Sequence, residues 1–304
     1  MEDVIQLIRS GRNFDAITRI VRSCYERRRS VSRRAWREFA TCEARAPELL
    51  SFAHRCKMTR RSFEKPRGYA GDAVMLDHIY GTGEGRLAPH PASTDGQVYA
   101  YTVNAPAPAA VRYRRQVLAR LVDEAAARCG DGEASVVSIA CGHLREADLS
   151  QAVQARKLKA FLAFDQDVDS LSVVDTDYSM LGVETRHGSV RQIIGERLRL
   201  PKCDLIYAAG LYDYLDDTVA MRLLQIMVEA LNPGGRVLVA NFVPNVPDVG
   251  YMEAYMDWWL TYRDMEQVTG LFEAIPAELR GPIESFFDAD FNIAFAVMEK
   301  AGGR

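Results

Sequence analysis

The run Val136-Val137-Ser138-Ile139-Ala140-Cys141-Gly142, answered by Phe161-Leu162-Ala163-Phe164-Asp165, constrains this chain more than any other feature. An apolar strand that breaks at a glycine, followed by a second strand ending in an acid 23 residues after that glycine, is the layout of a nucleoside site at the carboxyl edge of an open α/β sheet. Gly142 allows main chain to approach a ligand where a Cβ would obstruct it. Asp165 stands where a carboxylate can accept both hydroxyls of a ribose. The residues after Gly142 are His143, Leu144, Arg145 and Glu146, so the glycine triplet that wraps a pyrophosphate is missing. A ligand with adenosine but no phosphate needs fewer glycines, because no anion has to be enclosed by amides.

Apolar runs place strands at 135–140, 159–164, 182–186, 203–208, 235–242 and 291–298, with helices near 144–156, 168–178 and 217–231. This alternation predicts an α/β fold, a Rossmann-like, mostly parallel sheet with an antiparallel terminal strand. Residues 3–62 carry apolar positions at helical spacing, and Ala109 to Ala127 reads as another helix. Between them, Lys65-Pro66-Arg67-Gly68-Tyr69-Ala70-Gly71-Asp72 punctuates the chain, and 81–98 reads as a loop. The expected organisation is an N-terminal helical module over 1–105 and a catalytic domain over 106–304, interrupted by a substrate insert at about 244–280.

Composition narrows the class. The 304 residues are 48% hydrophobic and 26% charged, ordinary for a globular protein. Six scattered cysteines without a CxxC pair, and five histidines without ligand spacing, suggest neither disulfides nor a metal site. With an acidic start and no apolar run long enough to span a bilayer, a cytoplasmic protein is expected. Residues 1–70 hold 17 Lys and Arg against 8 Asp and Glu, whereas the remainder holds 21 against 33. Eight arginines between Arg19 and Arg37 could attract nucleic acid, or could simply dock a helical module and face solvent.

Around the nucleoside positions, Ser189 and Val190 follow the third strand, where a base would be bordered. Ala208 and Gly210 end the fourth strand with little bulk, and Tyr212 and Tyr214 beyond them could line a reactive centre or pack in the core. His143 could serve as a base or hold a loop. The segment from Asn241 to Arg263 is rich in rings, with Tyr255, Trp258, Trp259 and Tyr262 able to enclose an apolar acceptor. Arg263 could take an acceptor carboxylate in bidentate fashion, or pair with Asp257, Asp264 or Glu266.

Together with Pro233-Gly234-Gly235 before the fifth strand, these segments resemble class I S-adenosylmethionine-dependent methyltransferases over roughly residues 110–300. Lys65-Pro66-Arg67-Gly68-Tyr69-Ala70-Gly71-Asp72, Ser138-Ile139-Ala140-Cys141-Gly142, Phe164-Asp165-Gln166-Asp167, Ala209-Gly210-Leu211-Tyr212-Asp213-Tyr214 and Asp257-Trp258-Trp259-Leu260-Thr261-Tyr262-Arg263 further resemble the bacterial group that includes enzymes making hydroxy-fatty-acid methyl-ester signals. Leu144 departs from that pattern, in which a second glycine is usual. The resemblance implies S-adenosyl-L-methionine as cofactor and no metal. Cys141 and Gly142 would then shape the loop near the methionine tail, Asp165 and Gln166 would lie at the ribose, and Ser189 and Val190 at adenine. Arg67, Tyr69 and Asp72 would form a lid.

The expected activity is methyl transfer to oxygen or nitrogen of a small-molecule acceptor, a carboxylic acid being one candidate. In a second reading the cofactor cyclises to azetidine-2-carboxylate and releases methylthioadenosine. A third is an RNA-binding or RNA-modifying protein using the basic start.

Overall fold

The structure is a computed structural model that describes residues 2–130 and 132–302. Helices come first: α1 (Glu2–Arg9), α2 (Asn13–Ser30), α3 (Arg33–Thr41), α4 (Pro47–Ala53), α5 (Lys57–Glu64), α6 (Ala73–Tyr80), α7 (Thr94–Val103) and α8 (Pro106–Cys129). Then follow β1 (Ser135–Ile139), α9 (Gln151–Gln154), β2 (Ala160–Asp165), α10 (Val168–Tyr178), β3 (Val183–His187), α11 (Val190–Ile194), β4 (Cys203–Ala208), α12 (Asp217–Ala230), β5 (Leu231–Phe242), α13 (Val249–Tyr255), α14 (Met265–Gly270), β6 (Arg280–Phe287) and β7 (Ile293–Lys300). The chain divides into two compact units, Met1–Arg112 with Asn245–Trp259, and Tyr113–Pro244 with Leu260–Arg304.

The first unit is helical. Its centre is the apolar stripe Ile17, Ile20, Val21 and Cys24 of α2, all buried, spaced to fall on one helix face. Residues 245–259, read from sequence as part of an insert in the catalytic domain, belong to this unit. Every residue of α13 is buried. A Cβ at Gly250 would lie 2.8 Å from the Cys24 carbonyl carbon, so α13 sits flush on α2. Glu253, 3% exposed, accepts from Arg28 Nε at 2.8 Å and from Trp36 Nε1 at 2.6 Å. Burying that carboxylate is tolerable only because both donors come with it. The loop expected over 81–98 gives way at Ser93, whose hydroxyl accepts from Gly96 N and starts α7.

The second unit is a seven-stranded sheet in the order β3-β2-β1-β4-β5-β7-β6. β1 to β5 run parallel, and β7 lies antiparallel between β5 and β6. The predicted α/β fold and antiparallel finish are present. Buried apolar runs account for β1, β2, β4 and β7, whose residues are almost all enclosed. β6 was not foreseen, since as an exposed edge strand with Pro282 and Glu284 it lacks an apolar signature. The helix expected over 144–156 is broken into a short turn at 145–148 and α9, because Ser150 caps a new start by accepting from Val153 N. Among the described residues no helix is long and apolar enough to cross a membrane, and no cluster of ligating side chains could hold a metal.

Candidate functional site

In an open α/β sheet the ligand crevice opens where the strand order reverses, outside the carboxyl ends of the strands. Here that point lies between β1 and β4. The chain leaving β1 turns through left-handed conformations at Ala140 (φ 53°), Gly142 (φ 56°) and Leu144 (φ 50°). Two of these are not glycine, each costing on the order of 1 kcal/mol. The Leu144 side chain is buried, so core packing offsets its strain. Asp165 fastens this loop: its Oδ2 accepts from Gly142 N at 2.8 Å and its Oδ1 from Asp167 N at 2.9 Å. Burial raises its pKa while the two amides oppose the shift. Each oxygen retains a further acceptor position, so the carboxylate that shapes the loop can also take a hydroxyl.

The residues lining the loop have separate environments. His143 is buried, and burial holds the Cys141 thiol well above its ordinary pKa and therefore protonated. Gln166 is exposed, while Ser189 and Val190 are half-buried. Gln192 Oε1 accepts from both the Ser189 amide and its hydroxyl, fixing the start of α11. At the end of β4, Ala208 and Ala209 are buried and Gly210 follows. Tyr214 stands 41% exposed just beyond.

Three residues assigned to the reactive centre or acceptor wall have other work. Tyr212 is wholly buried, its hydroxyl pointing to Ala220 O at 3.4 Å and Met227 Sδ at 3.6 Å, so it packs under α12. Arg263, 2% exposed, donates to Tyr212 O at 2.8 Å, Leu215 O at 2.7 Å, Asn241 Oδ1 at 2.7 Å and Asp217 Oδ1 at 2.7 Å. Its fork is filled, and the ion-pair partner is Asp217, none of the three acids expected. Asn241 is buried too, donating to Asp213 Oδ1 at 2.9 Å and Thr261 O at 2.8 Å. These side chains tie the segment after β4 to the end of β5. Sequence spacing could not show this for Tyr212 and Arg263, because side-chain direction outside regular helices and strands is not periodic.

Sequence reading missed two groups at the β1–β4 crevice. Glu146, 7% exposed with its pKa raised by burial, accepts from Tyr207 Oη at 2.8 Å. Arg114, 6% exposed, reaches the end of β4 and donates to Ala209 O at 2.9 Å. A signal was present: Arg114 falls on the apolar stripe Val111, Leu118 and Leu121, where a cation is out of place on a merely structural helix.

The remaining assigned residues lie in the helical unit. Asp72 caps α6, accepting from Met75 N at 2.8 Å, and pairs with Arg61 at 2.9 Å, which leaves it an architectural rather than a cofactor residue. Arg67 and Tyr69 are half-buried in the segment that follows α5. Tyr255 is buried and stacks on Tyr251 at 5.3 Å, and among the described residues its hydroxyl has no hydrogen-bond partner. Trp258 is buried and Trp259 half-buried. Trp259 Nε1 donates to Asp257 Oδ1 at 3.0 Å, and Asp257 also pairs with Arg45 and Lys65, which hold its carboxyl down to about 2 against the effect of burial. Tyr262, half-buried, is in the sheet unit.

The arginine-rich start is largely engaged within the helical unit. Arg19 pairs with Asp3, Arg22 with Glu26 and Arg28 with Glu253, while Arg27 lies over Phe39, Arg29 over Tyr25 and Arg37 over Trp259.

No protein-family model and no curated protein matches the sequence. Solved structures do. A possible exported protein from Bordetella parapertussis aligns over 86% of this chain and 99% of its own, with 15% identity and a TM-score of 0.56. The CurJ carbon methyltransferase aligns over 80% of this chain and 71% of its own, with 11% identity and a TM-score of 0.53. The N-methyltransferase NodS from Bradyrhizobium japonicum, in complex with S-adenosyl-L-homocysteine, aligns over 65% and 89%, with 17% identity and a TM-score of 0.46. The sheet unit has the class I methyltransferase fold.

Proposed function

We propose that the chain is an S-adenosylmethionine-dependent methyltransferase that acts on oxygen or nitrogen of a small molecule, with carboxylic acids among the acceptors. The bond from the Gly142 amide to Asp165, at the point where the strand order reverses, carries this reading. It aims a carboxylate and a left-handed turn at one place, which suits a nucleoside without phosphate. Asp165 holds the sugar hydroxyls, Ser189 and Val190 border the base, and Cys141 with Gly142 shapes the space for the amino-acid tail. When bound, S-adenosylmethionine supplies a methyl group activated by its sulfonium, so the protein's task is to align an acceptor and exclude water. Tyr214 and His143 are the candidates for contacting the acceptor, with Tyr262, also in the sheet unit, as a further binding residue. The membership of the hydroxy-fatty-acid ester group is part of the same proposal.

Incubating the protein with S-adenosylmethionine and a panel of small carboxylic acids, with mass spectrometry of products, tests it. S-adenosylhomocysteine together with a methylated acid is the expected result. Methylthioadenosine formed without any acceptor would replace transfer by cyclisation, and calorimetry showing no uptake of S-adenosylmethionine would overturn the reading altogether.

A further inference from the structure

Arg114 is a buried cation whose hydrogen-bonding capacity is mostly unused. A guanidinium carries five N–H donors. Among the described residues Arg114 makes one hydrogen bond, to Ala209 O at 2.9 Å, and enters no ion pair. Two acids feel its charge without a hydrogen bond to it, and each has an oxygen engaged by other donors. Asp213 Oδ1 accepts from Asn241 Nδ2 and from Phe242 N, and Glu146 Oε1 accepts from Tyr207. Although the residue is only 6% exposed, its unbonded donor nitrogens are not among the buried polar atoms that lack a partner, so they reach solvent, where a ligand can take the place of water.

Its location says which ligand. A Cβ placed on Gly210 would lie 3.5 to 3.8 Å from the Arg114 guanidinium, so Gly210 lies directly against the planar fork and puts no side chain over it. Ala209 and Gly210 follow β4, and Glu146 follows β1, so the cation faces the place where the strand order reverses. A planar fork at such a site suits a planar, bidentate anion, and a carboxylate matches it better than a point charge would.

We propose that Arg114 binds the α-carboxylate of the cofactor's amino-acid tail through the guanidinium donors that Ala209 does not use. This deepens the methyltransferase reading and rests on it. It gives the chain a way to orient the tail that does not need the second glycine, whose place Leu144 occupies with a side chain turned into the core.

Calorimetry with two ligands on the full chain separates the possibilities. S-adenosylhomocysteine carries the carboxylate, whereas methylthioadenosine shares the adenosine and sulfur but lacks the amino-acid group. Arg114→Met should weaken S-adenosylhomocysteine by about 10- to 100-fold and leave methylthioadenosine within about twofold, with Arg114→Lys intermediate. The wild-type chain should also prefer S-adenosylhomocysteine over its decarboxylated analogue by at least about tenfold, a measurement that needs no variant. An equal loss of both ligands in Arg114→Lys, or no preference against the decarboxylated analogue, would overturn the proposal and leave Arg114 a brace for β4. A wild-type chain that binds neither ligand would overturn the cofactor reading itself.

Discussion

Asp213 illustrates how one side chain sets a pH dependence. It is 3% exposed, and burial pushes its carboxyl up to about 7, even though Arg114, the Phe242 amide and Arg263 favour the charged form. In the unfolded chain it would titrate near 3.9. The folded state therefore holds a proton that the unfolded state releases between about pH 4 and 7, and the associated stability is present at low pH and lost as pH rises through 7. Asp213→Asn keeps an Oδ1 to accept from Asn241 and Phe242 N but cannot ionise. Between pH 5 and 7.5 the wild type should lose about 2–3 kcal/mol that this variant does not lose, read by urea unfolding at both pH values. Asp248, pushed up to about 6 by burial, adds a slope of the same sign in both proteins. Arg263 makes the complementary case. Removing it strands the carbonyls of Tyr212 and Leu215 and the amide oxygen of Asn241, so Arg263→Ala should cost about 3–5 kcal/mol, seen as a lowered midpoint in the same titration.

Elements were legible where both faces of a strand are buried. Val136, Val137 and Ile139 of β1, and Phe161 to Phe164 of β2, read as continuous apolar runs because helices cover both sides of a parallel sheet. β6 was illegible for the opposite reason, and α13 was obscured because its rings suggested a binding wall when they were core. That Gly142 and Asp165 would lie side by side was readable, since strand ends fix where their backbone lies. The roles of Tyr212, Asn241 and Arg263 were not, since they are set by bonds that Asn241 and Arg263 make to the turn between β4 and α12. A prediction belongs at this level. The turn after β3 presses Gly188 against β2, with its amide donating to Asp165 O at 2.9 Å, and an added Cβ would lie 2.8 Å from both Phe164 Cζ and Leu198 Cδ1. Gly188→Ala should destabilise the protein by about 1–3 kcal/mol by thermal unfolding. It should also weaken methylthioadenosine, because Phe164 directly precedes Asp165. A melting temperature unchanged from wild type would show that the turn yields freely.

Across the whole chain, sequence order and compactness disagree, and the disagreement has a consequence for folding. The expected break at 105 treats the helical module as a contiguous segment. The structure instead completes that module with residues 245–259, which arrive only after β5. The returning segment brings groups that the N-terminal helices cannot replace. Glu253 neutralises Arg28 and accepts from the Trp36 indole, Tyr251 Oη lies 3.0 Å from Thr59 Oγ1, and Asp248 accepts from the Ala107 amide at 3.1 Å. It also covers apolar surface, for Val249, Tyr251, Met252, Ala254 and Tyr255 are all enclosed. Without it, residues 1–112 would expose the α2 stripe and leave buried polar groups unpaired, a deficit larger than the margin by which a unit of this size is stable. Expressed alone, residues 1–112 should retain helical circular dichroism yet bind a hydrophobic dye and unfold without a cooperative transition. Fusing residues 245–259 to its end through a flexible glycine-serine linker should restore a cooperative melt, and Glu253→Ala in that fusion should abolish it again. A sharp, dye-free transition for 1–112 alone would mean that the helices form their own core and that the returning segment is only docked upon it.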